Sequence, residues 1–193
     1  GQTLAANTLV DRITDNEFSR YTGVSADLDS NINELSWAWT ERMLIVQQLK
    51  GSHLIHPKSG LKLDWRYGFS TAAQDQPDQR HTRYEYLTND DLWVLSSGSD
   101  GNSRSYITVD DKTHDMGLDL TFPFKQWTRA DASVKVGGAL LLKDRAVDLR
   151  TFGYTNVDSL SLETRNLRPE QIFVDENFTP DRLALQEWTQ PTD

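Results

Sequence analysis

Alternating apolar and polar side chains mark four long strands in this chain. In "LKLDWRYGFS", which opens a predicted strand over residues 60–73, Leu, Trp, Tyr and Phe alternate with charged or small residues. Because successive side chains of a β-strand point to opposite faces, this pattern predicts one apolar face and one charged face. The other predicted strands cover residues 37–55, 105–124 and 132–154. The chain is therefore predicted to be all-β.

The alternation leaves open which face of the sheet meets the interior of the protein. In a soluble β-domain the apolar face packs on a core, whereas in a membrane β-barrel it meets lipid and the polar face lines the interior. The apolar stretches have about 9–11 residues, which is the length that a tilted strand needs to cross a bilayer. We expect the following apolar side chains to face lipid: Leu61, Leu63, Trp65, Tyr67 and Phe69. The charged side chains between them, Lys62, Asp64 and Arg66, are then expected to face the barrel interior.

The lengths of the connections favour the membrane barrel. The strands of each pair are joined by short polar turns, and long polar segments separate the pairs. Outer-membrane barrels have short periplasmic turns and long extracellular loops, and loops this long are uncommon in compact soluble domains. We therefore predict an antiparallel transmembrane β-barrel segment of about four strands. Its parts are a loop over 1–36, a hairpin over 37–73, a loop over 74–104, a hairpin over 105–154 and a loop over 155–193, with all three loops extracellular.

Two short helices are predicted within the last of these loops. In residues 167–173, Pro169 occupies a position suited to a first helical turn. In residues 179–188, Thr179 can act as the N-cap and Pro180 as the first helical residue.

Composition narrows the classes of function. The formal net charge of −9 argues against nucleic acid as a partner. The chain has no cysteine, which excludes disulfides and thiolate metal sites. No apolar run approaches the roughly 18 residues of a transmembrane helix, and the first residues show no pattern typical of a signal peptide.

The polar motifs do not predict catalysis, a cofactor or a metal site. The stretch that begins at Asp27 resembles the start of a calcium loop, but Ile32 and Ala38 stand where that loop needs Gly and Glu. In "VDDKTHD", strand alternation places Asp110 and His114 on one face and Asp111 and Asp115 on the other. No nucleophile–base spacing or phosphate-binding Gly loop stands out, so we expect a protein that is not an enzyme.

One polar stretch, residues 74–86, is a candidate for ligand recognition. It combines Tyr side chains with charged groups that suit a polar ligand at the outer mouth of a barrel. The candidate residues are Asp75, Asp78, Arg80, His81 and Arg83. The alternative is that Arg–Asp pairs only hold this stretch in place.

Several phrases resemble the barrel domain of TonB-dependent outer-membrane receptors. These phrases are "QLKGSHLI", "LKLDWRYGFSTAAQDQPDQRHTRYEY", "GLDLTFPFKQW", "VKVGGALLLKDRAVDLRTFGY", "LRPEQIF" and "LQEWTQPTD", within residues 37–193. The resemblance implies a roughly 22-stranded barrel in the outer membrane of a Gram-negative bacterium, filled by a plug domain and energised through TonB. It also implies uptake of a scarce nutrient such as an iron chelate, cobalamin or a sugar.

The chain departs from that family pattern in two respects. It shows no plug domain and no TonB-contacting segment, and about four strands cannot close a barrel, so we expect a segment of a longer polypeptide. A soluble secreted all-β module that binds a ligand or a carbohydrate remains the alternative. A small closed barrel that encloses a ligand would need about eight strands.

Overall fold

The computed structural model of the protein describes residues 1–98, 100–179 and 181–188. Five long strands and two short ones account for most of these residues. The strands are β1 (Gln2–Ser25), β2 (Ser30–His56), β3 (Leu61–Leu87), β4 (Leu92–Leu95), β5 (Asn102–Lys125), β6 (Asp131–Thr155) and β7 (Ala184–Glu187). The helical elements are α1 (Leu162–Arg165), α2 (Pro169–Ile172) and the 3-10 turns Val157–Ser159 and Asp175–Asn177. No helix in the described part of the chain is long and apolar enough to span a membrane.

The seven strands form one antiparallel sheet, which confirms the predicted all-β class. The strand order is β1-β2-β3-β5-β6-β7, and β4 also pairs with β3. The predicted number of about four strands is wrong, because the described residues form seven. The sheet does not close on itself within the described residues.

The largest difference from the sequence prediction lies at residues 1–36, which are strand rather than loop. They form β1 and the first part of β2. Apolar residues occur in β1 at irregular intervals, so the period-two signal is absent. Nearly all of β1 is exposed, and its pairing with β2 rather than the burial of one face accounts for its extended backbone.

The predicted loop over 74–104 is also largely strand. β3 continues through this polar stretch to Leu87, and the chain then turns into β4, whose residues pair back onto β3 with Tyr84 opposite Leu95. Because its side chains are mostly polar, this part of the strand shows no alternating hydrophobic pattern. Its backbone nevertheless forms hydrogen bonds to neighbouring strands.

The predicted loop over 155–193 contains one of the two helices that the sequence predicts. α2 begins at Pro169, as expected. The helix predicted over 179–188 is wrong, because β7 occupies Ala184–Glu187 and pairs with the end of β6. Pairing with β6 outweighs the local capping signals. One further backbone hydrogen bond, from Trp188 N–H to Thr151 O over 2.8 Å, extends the pairing of β7 with β6. Pro180, the expected first helical residue, lies outside the described residues.

The chain divides into two compact units, each built from three stretches. Unit 1 comprises residues 1–13, 42–74 and 109–147, and unit 2 comprises residues 14–41, 75–108 and 148–193. The buried apolar core belongs to unit 2. It consists of Tyr84, Leu95, Tyr154, Val157, Leu160, Ile172 and Leu183.

Polar groups of unit 2 tie its loops to this core. The hydroxyl of Tyr84 donates to Leu167 O over 2.7 Å. The guanidinium of Arg165 donates to Leu95 O, at 2.7 Å from Nη2 and 3.0 Å from Nε. The buried side chain of Asn102 donates to Ser96 O over 2.7 Å. The bonds to Leu95 and Ser96 satisfy carbonyl groups of buried residues, and the bonds of Tyr84 and Arg165 fix the helical segment against the sheet.

The sheet of unit 1 has one apolar face and one charged face, as the alternation predicts. Trp65 Nε1 donates to His53 Nε2 over 3.0 Å, and the hydroxyl of Tyr67 lies 2.9 Å from His114 Nδ1. Salt bridges on the charged face join Arg66 to Asp115 at 3.5 Å, Lys135 to Asp119 at 3.1 Å and Arg145 to Asp111 at 2.8 Å. His114 thus lies on a different face from Asp111 and Asp115.

Candidate functional site

A cavity of about 520 Å³ lies within unit 2, on one face of the sheet. β2, β3, β5, β6 and α2 all contribute to its wall, together with one residue of β1. The lining residues are Phe18, Leu35, Ser36, Trp37, Arg80, Thr82, Ser103, Arg104, Tyr154, Pro169, Glu170 and Phe173. The volume falls within the range of about 300–1,000 Å³ that is usual for small-molecule sites.

One carboxylate joins the two arginines of this cavity. Arg80 Nε donates to Asp78 Oδ2 over 2.7 Å, and Arg104 Nε donates to Asp78 Oδ1 over 2.9 Å. Partial burial raises the pKa of Asp78, but the hydrogen bonds from Arg104 and Arg80 outweigh it, so the pKa lies below its ordinary value. The hydrogen bond with Asp78 raises the pKa of Arg104. All three groups are therefore charged at neutral pH.

Aromatic rings form much of the remaining wall. The guanidinium carbon of Arg80 lies 5.3 Å from the centre of the Trp37 ring, within cation–π range. The Tyr154 ring stacks on Phe173, with 4.2 Å between the ring centres. Burial raises the pKa of Tyr154, although a hydrogen bond from Arg104 opposes this shift, so the phenol stays neutral. The site thus combines fixed cationic donors with flat apolar surfaces.

The five residues that the sequence suggested for ligand recognition separate into three groups. Asp78 and Arg80 come together at the cavity, as described above. His81 and Arg83 have partners of their own, and Asp75 is exposed and does not line the cavity. All five belong to β3 rather than to a loop.

A second charge cluster surrounds Arg83. Its Nε donates to Glu34 Oε1 over 2.7 Å, and its Nη1 donates to Asp100 Oδ2 over 3.1 Å. His81 Nδ1 lies 3.1 Å from the hydroxyl of Ser36. Strand alternation places His81 and Arg83 on the face of β3 opposite to Arg80. These contacts hold neighbouring strands together, in line with the alternative that charged pairs fix this stretch.

Several residues of the cavity were missed by the sequence argument, above all Trp37, Arg104, Tyr154 and Phe173. They come from three strands and from the C-cap of α2, which are far apart in the chain. Arg104 falls within the stretch predicted to be a loop, so its strand neighbours were not recognised. The pair "WAW" at residues 37–39 was a usable signal, because alternation places both Trp rings on one face.

The described residues contain no group of three or more His, Asp or Glu side chains arranged to hold a metal ion. The calcium-like stretch at Asp27 lies in the tight turn between β1 and β2, where Asp29 adopts a left-handed backbone with φ 47°.

Comparison with known proteins gives no family assignment: no family model matches the chain, and no curated protein matches it.

Proposed function

We propose that this chain is part of an outer-membrane β-barrel transporter of the TonB-dependent receptor type, which takes up a scarce nutrient in a Gram-negative bacterium. An iron chelate, cobalamin or a sugar is the kind of nutrient that the sequence resemblance implies. A plug domain and TonB would be its partners, again by resemblance. The observation that carries the membrane part of the proposal is the two-faced sheet of unit 1.

The apolar face of unit 1 is widely exposed. Leu118 is 56% exposed, Val136 61% and Leu140 52%. The buried apolar side chains in the described part of the chain all belong to unit 2. A soluble protein rarely leaves so broad an apolar surface uncovered, because each Å² costs about 25 cal/mol. Lipid would cover this face in a membrane.

The opposite face of unit 1 fits a polar barrel interior. Its carboxylates are joined to Lys and Arg across neighbouring strands, as in the pair Asp119 and Lys135. Alternation of apolar-out and polar-in residues is the pattern of outer-membrane barrels. β1 and β6 have long backbone edges, which lipid does not tolerate without partners. The proposed barrel therefore includes further strands that pair with them.

Adjacent leucines of β6 offer a matched test. Leu140 lies with Leu118, Leu120 and Val136 on the apolar face. Leu141 is 65% exposed and, by alternation with Lys143, lies on the charged face. Leu140→Arg should impair assembly of the full chain into lipid vesicles or the outer membrane, at a cost of about 2–4 kcal/mol near the midplane. Leu141→Arg introduces the same charge and should assemble normally.

For both variants, membrane assembly would be measured as the amount of protein that can be extracted from the membrane and that resists protease. Equal assembly of the two variants at the wild-type level would overturn the lipid-facing assignment. A loss of solubility without any membrane-bound wild-type protein would favour the soluble β-module instead.

A further inference from the structure

We propose that the cavity of unit 2 binds a small organic anion, specifically a carboxylate carried on a flat, apolar body. The statement that this anion is the transported ligand rests on the proposed transport function. The binding itself can be measured separately.

The charged groups in the wall of the cavity are mainly hydrogen-bond donors. Arg80 and Arg104 can only donate. Both carboxylate oxygens of Asp78 already accept from these arginines, and the hydroxyl of Tyr154 accepts from Arg104. Among the described lining residues Glu170 is the one carboxylate, and it is exposed. The hydroxyls of Ser36, Thr82 and Ser103 can both donate and accept, so the two guanidinium groups shift the balance towards donors and favour a ligand rich in acceptors.

The two guanidinium groups are held in place before a ligand arrives. Asp78 binds the Nε edge of each guanidinium, and the Trp37 ring supports Arg80 from one side. The terminal N–H groups that remain, on Nη1 of Arg80 and on Arg104 apart from the one that donates to Tyr154, can donate to a carboxylate. Because a planar guanidinium matches a carboxylate in geometry, prior fixation lowers the entropy lost on binding.

The apolar part of the wall indicates what the body of the ligand is. Leu35, Phe173 and Pro169 give the cavity an apolar side, which favours a flat hydrocarbon or aromatic group. A sugar is less suited to this site, because a neutral ligand gains less than an anion from two fixed guanidinium groups. The Arg80 guanidinium also already covers one face of Trp37, which a stacked sugar ring would use.

Calorimetric titration of the full chain in detergent micelles would test the inference with two probes of nearly equal shape. The probes are 2-naphthoate, which is an anion, and 2-naphthalenemethanol, which is neutral. We expect 2-naphthoate to bind at least about tenfold more tightly, which is the size of effect that a charge-assisted hydrogen bond supplies. Equal binding of the two probes, or no binding of 2-naphthoate, would overturn the proposal.

Two arginine variants locate the site. Arg104→Gln should lower the affinity for 2-naphthoate about tenfold and leave that for the alcohol unchanged. Arg150→Gln is the control, because Arg150 also pairs with a carboxylate, Glu187, and lies over a ring, Phe152, but is not part of the cavity. An equal loss in both variants would refute the assignment of the site.

Even if Arg104→Gln does not fold, the two probes on the wild-type chain show whether it binds the anion more tightly than the neutral alcohol. Failure of the ligand inference is also distinct from failure of the proposed function. Membrane assembly of the Leu140 and Leu141 variants is measured without any ligand.

Discussion

Asp78 illustrates how a single residue organises the cavity of unit 2. Its carboxylate is partly buried and lies between two guanidinium groups. Removing a carboxylate from water is unfavourable, and here the two charge-assisted hydrogen bonds offset that cost. The same contacts that stabilise the charge also fix Arg80 and Arg104, so stability and ligand recognition depend on the same three side chains.

Replacing Asp78 with Asn should produce a pH-dependent loss of stability. The pKa of Asp78 is lower in the folded chain than in the unfolded chain, so the ionised form adds stability above about pH 4. That contribution disappears as the pH falls through the lowered folded value. We expect Asp78→Asn to lose about 1 kcal/mol at pH 7, given the partly solvated site, and less than this at pH 2. Urea unfolding at both values measures the difference.

Asp75→Asn is the control for this experiment, because Asp75 belongs to the same strand but is exposed. It should change stability little at either pH. A loss at pH 7 that persists unchanged at pH 2 would show that the Asp78 charge is not what stabilises the network.

The sequence identified individual residues of the site only in part. Asp78 and Arg80 stood out because they belong to a dense mixture of charged and aromatic side chains. His81 and Arg83 stood out for the same reason, yet alternation along β3 sends them to the opposite face. Trp37 and Tyr154 reach the cavity through strand register and packing, which a single sequence does not encode locally.

At the scale of elements, the contact between the end of β6 and the segment at β7 depends on a glycine, Gly153, which has no side chain. The ring of Trp188 lies against Gly153, where an added Cβ would overlap it. Gly153 pairs with Gln186 in the ladder, so Trp188 cannot move away without disturbing β7. The small residue in β6 therefore permits this end of the chain to pack closely.

Gly153→Ala should destabilise unit 2 by about 1–3 kcal/mol, the usual cost of overpacking. Chemical unfolding followed by tryptophan fluorescence measures this loss. Gly138→Ala, also in β6, has open space around its Cα and serves as the control with little expected effect. Equal stability of the two variants would show that Trp188 does not occupy this position in solution.

Strands were predictable where one face differs from the other. β2, β3, β5 and β6 all contain stretches with a period-two pattern, and each was recognised there. The pattern fails in β1 and in the polar half of β3, where backbone pairing alone maintains the strand. At 179–188, capping residues favoured a helix, but the partner strand β6 determined the outcome. Local propensity loses to long-range pairing in such segments.

At the scale of the whole molecule, the two units differ in what must stabilise them. Unit 2 has a buried core and satisfied polar groups, as in a water-soluble fold. The sheet of unit 1 has paired charges on one face and exposed apolar side chains on the other. Such a sheet requires an apolar environment on one face, and the proposed membrane location supplies it.

The native polypeptide should therefore occur in the outer-membrane fraction of its cell. An antibody against residues 155–179 would detect it after fractionation, with and without boiling in detergent. Since a closed barrel satisfies all of its backbone hydrogen bonds internally, it should resist detergent until heated and then change its gel mobility. We expect a band well above 22.0 kDa, because barrel closure needs more strands than the seven of this sheet. A soluble band near 22.0 kDa with no change on boiling would contradict the membrane proposal and require another surface to cover the apolar face.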